Sequence, residues 1–507
     1  MSNRVMVKID PHAFDAYMDP EDLARITDDL TVGVMWERCV REYADLPAIE
    51  DQGTFTYRDL DVAAGRIRAA LQKAGVKAGD RVAILMPNCA DFVKAYLGVE
   101  TYGACAILLP AQLEAMPVFG CCYGFGAKAV LTIEPMLEKT AMVKEKLHLP
   151  VLTPADYGEE TAPAQGTDSD AESVIIFTGG TTGKSKGAIL SHRAVLAGTK
   201  NGCYGWHNIF NQRYFLILPL THVFGLIRNL MSTLYTGSVM FICRNNKNMF
   251  QEIAVFRPTI MVMVPALAEM ALNLSKQFGR NMLGPDLKTI IAGAAVVAPY
   301  LVAEYEKLGI TLLPGYGLTE TANLVSGNPV SREKPSSVGY PYTGQELMIV
   351  DGELWIRGVN IMKGYTDPAE TAAAFEDGWF KTGDLVRVDE DGLLYITGRT
   401  KEIIVLSNGE NVSPAEIETR FNEIEAVQDS LVYADTNESG QEILAVQVYP
   451  RAVILKQKGI TDAESYLREE INKVNATLLP YQRVSRIVVR DQDFKRSPAM
   501  KILRNQN

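Results

Sequence analysis

Up to about residue 300, short apolar runs alternate with stretches whose apolar positions recur at helical spacing. Residues 81–85 (Arg-Val-Ala-Ile-Leu) read as a strand, 91–99 as a helix and 104–109 as a second strand. Residues 214–218, 238–242, 259–264 and 289–292 read as further strands, with helical stretches between them. Such alternation predicts layered α/β subdomains with largely parallel sheets, since each parallel pair needs a crossover connection. Residues 173–176 read as another short buried strand, and Ser191-His192-Arg193-Ala194-Val195 as a capped helix start. The segment 153–172 is rich in Asp, Glu, Pro, Gly and Ala and reads as an exposed linker or surface loop.

After about residue 339 the pattern changes. Residues 346–350 and 353–357 flank Asp351-Gly352, a strong two-residue hairpin signal. Residues 385–388 and 393–396 flank Asp389-Glu390-Asp391-Gly392 and predict a second hairpin, hence a small β-rich subdomain. Further on, 414–421 and 462–475 read as helices, and 430–433 and 444–448 as strands. The predicted fold class is α/β. A large N-terminal region of layered α/β subdomains with a small β-rich subdomain spans 1–398, and a small α+β C-terminal domain spans 399–507.

A length of 507 residues is too much for one ordinary domain, which agrees with this division. The net charge of -11 argues against nucleic acid as a partner. No apolar stretch is long enough to predict an integral membrane segment, and the first ten residues lack an apolar signal core. The seven cysteines form no C-x-x-C pair, so reduced thiols and a cytoplasmic location are the expectation. The five histidines show no metal-ligand spacing.

The richest chemistry lies in Phe177-Thr178-Gly179-Gly180-Thr181-Thr182-Gly183-Lys184-Ser185-Lys186-Gly187. Its glycines, threonines and lysines supply backbone N–H groups, hydroxyls and positive charge, which suit a polyphosphate. A Walker A loop, G-x-x-x-x-G-K-[ST], would need its first glycine at 178, where the chain has threonine. The stretch instead resembles the phosphate-binding signature of the adenylate-forming (AMP-binding) superfamily, of the acyl-CoA synthetase type. Gly179 stands where a second hydroxyl residue is usual, and Ser185 where proline is usual. The resemblance continues through 54–60, 79–84, Gly315-Tyr316-Gly317-Leu318-Thr319-Glu320-Thr321, 352–358 with Gly364-Tyr365, 378–384, 398–402 and 496–504. Met500 replaces the glycine usual before the terminal lysine, Lys501.

This resemblance implies a two-step reaction. A carboxylic acid and ATP give acyl-AMP and pyrophosphate, and coenzyme A then gives acyl-CoA and AMP. It implies Lys501 as the central catalytic cation, and ATP or AMP contacts from Thr178, Gly180, Thr181, Thr182, Gly183 and Lys186. Ala294 and Ala295 would lie beside the nucleotide, Tyr316 would stack on adenine next to Gly317, and Thr319 would meet the α-phosphate. Asp384 and Arg399 would bind the ribose, and Glu320 with Thr178 would hold Mg2+. Lys401 falls where the family places the hinge of a mobile C-terminal domain, and Asn408 and Gly409 where a pantetheine arm passes.

The segment Pro219-Leu220-Thr221-His222-Val223-Phe224-Gly225 resembles the part of the family that meets the acid. His222 would orient the carboxylate, with Phe224, Arg228, Gly293 and Gly315 in the acid pocket. Arg228 interrupts an otherwise apolar helical run, and a buried arginine needs a partner. That partner is either an acidic residue elsewhere in the chain or a second carboxylate or polar group on the substrate. Three alternatives share the nucleotide site: an enzyme loading a carrier protein in trans, a luciferase-like oxygenase, and a non-catalytic nucleotide-binding regulator. Only six residues follow Lys501, which favours a free-standing ligase, and a homo-oligomer remains open.

Overall fold

The computed structural model describes residues 3–178, 186–406, 410–437, 442–496 and 502–504. Gly180, Thr181, Thr182, Gly183, Asn408, Gly409 and Lys501 lie outside the described residues.

The alternating pattern of the first half folds into two largely parallel sheets. One has seven strands in the order Gly364–Tyr365, Lys186–Ser191, Glu172–Thr178, Cys105–Leu109, Arg81–Leu85, Ala127–Thr132, Val151–Leu152. The last five of these are mutually parallel. The other has nine strands, and its six strands from Thr311–Tyr316 through Thr289–Ala292, Ile260–Met263, Arg213–Leu216 and Val239–Ile242 to Pro47–Glu50 are parallel. Cys105–Leu109 is buried at every position, which is why it reads as an unbroken apolar run.

Helices Tyr57–Lys73 and Ala90–Thr101 join these sheets into one core that includes Ile67, Phe92, Ile84 and Phe215. Burying each such side chain stabilises the fold by roughly 1.5–3 kcal/mol. The first of these helices starts at a capping box: Thr56 Oγ1 accepts from the Asp59 N–H, and the Asp59 carboxylate accepts from the Thr56 N–H.

The β-rich subdomain is a six-stranded sheet built on Gln345–Val350, Glu353–Gly358, Trp379–Val388 and Leu394–Arg399. Asp351 (φ 50°) and Gly352 (φ 90°) both turn left-handed, as a tight hairpin requires. Arg4–Val7 adds an antiparallel strand to Gln345–Val350. No periodicity marks this strand, because its charged and apolar residues are almost all exposed at the sheet edge.

The C-terminal region has a separate core containing Ile417, Phe421, Val446, Val448, Leu467 and Ile471. Its sheet is Val427–Thr436 antiparallel to Glu442–Pro450, with Arg486–Val489 parallel on the far side. This region contacts the rest through Arg451, which is 3% exposed. Its Nε donates to Glu269 Oε1 at 2.8 Å, and its guanidinium lies 4.1 Å from the Tyr300 ring centroid.

Two local elements differ from the sequence reading. Lys186–Ser191 is a strand, antiparallel to Glu172–Thr178, with Thr178 opposite Lys186. Its apolar stretch is too brief to register between the glycine-rich loop and the Ser191 cap. Phe224–Met231 is a π-helix rather than an ordinary helical run.

A neutral polar pair sits within the core. The Ser173 hydroxyl donates to Glu100 Oε2 at 2.7 Å, and His192 Nδ1 lies 3.3 Å from the same oxygen. Burial raises the Glu100 carboxyl well above its usual range and lowers His192 to about 4. In the unfolded chain Glu100 ionises above about pH 4.5, so its contribution to stability declines as pH rises beyond that. His192 acts oppositely: its contribution is lost as pH falls from about 6.5 towards 4. Glu100→Gln keeps the shape and removes the titrating proton. Its stability relative to wild type should climb between pH 6.5 and 8.5, by at most about 1.4 kcal/mol per pH unit. Urea titrations across this range test it, and a pH-independent difference would mean that Glu100 is already ionised in the native protein.

Candidate active site

The sequence-predicted residues gather where parallel strands end. Thr178 closes Glu172–Thr178, Gly293-Ala294-Ala295 follow Thr289–Ala292, and Tyr316 closes Thr311–Tyr316. Carboxyl ends of parallel strands are the usual ligand edge of such sheets. The segment 362–366 laces the two sheets together. The Met362 N–H donates to the Glu320 carbonyl, the Lys363 N–H to that of Ile189, and the Thr366 N–H to that of Gly187.

That lacing brings Lys186 and Glu320 to the same aromatic side chain, Tyr365. The Tyr365 hydroxyl donates to Glu320 Oε1 at 2.7 Å, and Lys186 Nζ lies 5.2 Å from the Tyr365 ring centroid. Lys186 also pairs with Glu370. Burial, then the Glu320 charge, push the Tyr365 phenol above its usual range, so it stays protonated as a donor.

A second chain of contacts links Tyr316, Asp384 and Arg399. Asp384 is 5% exposed and lies directly across from Arg399 in adjacent strands. Arg399 Nε donates to Asp384 Oδ1 at 2.6 Å, and the Tyr316 hydroxyl donates to Oδ2 at 2.6 Å. Burial foremost, with the Asp384 charge, raises the Tyr316 phenol well above its usual range. Both donors are therefore charged or protonated at neutral pH, and the buried carboxylate is compensated.

The turn after Tyr316 leaves no room for a side chain at Gly317. A Cβ there would sit 1.6 Å from the Asn323 carbonyl oxygen. Thr319 lies buried in the short helix Thr319–Thr321. Ala294 adopts φ 66°, a left-handed conformation costing a non-glycine residue about 1 kcal/mol or more.

The acid-pocket residues also converge. A Cβ at Gly293 would lie 3.3 Å from the Gly315 carbonyl oxygen and 3.4 Å from the Phe224 ring. His222 Nδ1 accepts from the Phe224 N–H at 3.2 Å. In the neutral ring this places the proton on Nε2, which can then donate. Arg228 is 2% exposed, and among the described residues no carboxylate forms an ion pair with it. The acidic partner elsewhere in the chain, the first of the two readings of Arg228, is therefore not met among the described residues. Lys401 lies in the single turn Thr400–Glu402, directly after Leu394–Arg399.

Comparison with known proteins gives the family. The family model described as "AMP-binding enzyme" matches residues 36–366, and that of the AMP-binding enzyme C-terminal domain matches 401–507. The chain belongs to the AMP-binding enzyme family. Among its curated relatives is a long-chain-fatty-acid–CoA ligase of Yersinia pestis, 28% identical over 97% of this chain and 98% of the other. A 4-coumarate–CoA ligase of Pinus taeda is 27% identical over 92% of each chain. The fold matches that of an anthranilate–CoA ligase solved with anthranoyl-AMP, with a TM-score of 0.82 at 20% identity over 93% of this chain and 95% of that one. This AMP-binding enzyme is an ATP-dependent acid–CoA ligase working through an acyl-AMP.

Within the AMP-binding enzyme, Tyr365 and Glu370 are site neighbours that sequence reasoning gave no role. Tyr365 stood inside a family segment, and Glu370 lies in the first turn of Pro368–Ala374, where an acid is favoured with or without a further role. Only the folded chain reveals that both meet Lys186. The segment between Thr178 and Lys186 also joins two strands, whereas a Walker A loop leads from strand into helix.

Gly317→Ala should destabilise the protein by about 3 kcal/mol, since the new methyl meets backbone rather than a movable side chain. Thermal melts check this. A variant melting within a degree of wild type would show that the 317–323 turn can relax.

Proposed function

We propose that the described cluster is the ATP and acid site, and that the division of labour follows the family pattern residue by residue. The observation that carries this reading is the paired arrangement of Lys186–Tyr365–Glu320 and Tyr316–Asp384–Arg399 at the strand ends. In this reading Asp384 and Arg399 hold the ribose, Tyr316 flanks the adenine, and Lys186 faces the phosphates.

The chemical difficulty is that an anionic acid must attack an anionic phosphate, so fixed positive charge is needed where negative charge gathers. Lys501 supplies it in this reading, with Lys186 on the departing phosphates. His222, its proton on Nε2, steadies the acid carboxylate. Among the described residues no cluster of three or more His, Cys, Asp or Glu side chains could cage a metal. A single carboxylate, Glu320, with the Thr178 hydroxyl suits Mg2+, which takes most of its ligands from water and phosphate. When bound, the ion would offset phosphate charge.

The C-terminal unit from 399 onward is the mobile domain in this reading, pivoting at Lys401 to present coenzyme A to the acyl-AMP. Its separate core supports movement as one body. Free coenzyme A is the proposed acceptor, and a carrier-protein thiol is the competing outcome.

Acid-dependent exchange of labelled pyrophosphate into ATP tests the adenylation step. Exchange should appear with at least one acid of a broad panel, and its complete absence would leave a nucleotide-binding protein. Lys501→Ala should lower exchange by about 10²- to 10³-fold. Lys401→Pro should impair thioester formation more than exchange, and equal loss of both would remove the hinge from the scheme.

A further inference from the structure

Arg228 does not fit the pattern of a structural arginine. It is 2% exposed on the π-helix Phe224–Met231, and its Nη1 has no hydrogen-bond partner. A guanidinium keeps its charge, so burial without a counter-charge is strongly unfavourable unless something else compensates it. The Trp206 ring, with its centroid 5.9 Å from the guanidinium carbon, is at the outer limit of cation–π contact.

The space around Arg228 is built for a small polar group. Arg228 lines a cavity of about 30 Å³ with Trp206, Gly315, Gly327 and Tyr342. Among the described residues no Asp or Glu lines it. The buried Tyr214 hydroxyl lies beside the Arg228 guanidinium, whose charge and hydrogen bonding act on its phenol against the larger effect of burial. Gly315 belongs to this cavity and its carbonyl also lies close to Gly293, which the Phe224 ring approaches too. The cavity therefore adjoins the place assigned to the acid.

We propose that Arg228 is a specificity-determining residue that receives a second carboxylate at the far end of the substrate, making short dicarboxylic acids the preferred class. The proposal rests on the adenylation reading above. A guanidinium fork matches a carboxylate bidentately, and the pairing would neutralise the buried charge only when the correct acid is bound. A plain fatty acid would instead press methylene groups against an unpaired cation.

The test uses pyrophosphate exchange by the full-length enzyme with carbon-matched pairs: succinate and butyrate, glutarate and pentanoate, adipate and hexanoate. Wild type should favour at least one diacid over its monoacid by roughly 10- to 100-fold in kcat/KM. Arg228→Met should collapse that ratio, mainly through KM for the diacid, while Arg228→Lys should retain part of it. A merely structural arginine would lower turnover of both members of a pair alike. Circular dichroism and thermal melts confirm that the variants fold; if neither does, the wild-type ratio alone decides. Equal or monoacid preference in wild type, or a diacid preference untouched in a folded Arg228→Met, would overturn the proposal while leaving adenylation intact. Absence of exchange with every acid of this panel and of the broader one would overturn the adenylation reading and this proposal with it.

Discussion

One buried carboxylate ties three parts of the chain together. Asp384 lies in Trp379–Val388 of the β-rich subdomain, accepts from Tyr316 at the end of a parallel strand, and pairs with Arg399. Arg399 is the last residue of Leu394–Arg399, just before the turn that leads to the C-terminal region. A carboxylate this buried is tolerated only while both partners hold it. The positions of the nine-stranded sheet, the β-rich subdomain and the start of the C-terminal region are therefore not independent.

The lacing segment 362–366 has a similar effect on the phosphate side. Its backbone hydrogen bonds bring Tyr365 against Glu320, which follows a strand of the nine-stranded sheet, and near Lys186 of the seven-stranded sheet. Glu320 and Lys186 have different partners, the Tyr365 hydroxyl for the first and the Glu370 carboxylate for the second.

Much of this was legible in the sequence, for a physical reason in each case. Arg81–Leu85 and Cys105–Leu109 are buried on both faces, so their apolar runs announced parallel strands. Asp351-Gly352 announced its hairpin because few residues tolerate two successive left-handed conformations. Arg4–Val7 was not legible, since an exposed edge strand carries no burial pattern. Lys186–Ser191 was hidden between a glycine-rich loop and a helix cap. Tyr316, Asp384 and Arg399 were found through resemblance, but their mutual hydrogen bonds depend on strand register, which one-dimensional spacing does not encode. For Arg228 the sequence showed that a partner was needed, and only the packed structure showed no acid pairing with it among the described residues.

The contact between Arg451 and the pair Glu269–Tyr300 joins the C-terminal region to the rest of the chain through charge. Arg451 and Glu269 are both well covered, at 3% and 14% side-chain exposure, and a ring packs over the guanidinium. A hydrophobic seam of the same extent would resist separation in water. An ion pair returns its charges to solvent when it opens and recovers much of what burial took from it. Such a seam sets direction more than it supplies adhesion. It acts as an indexing notch rather than a bolt.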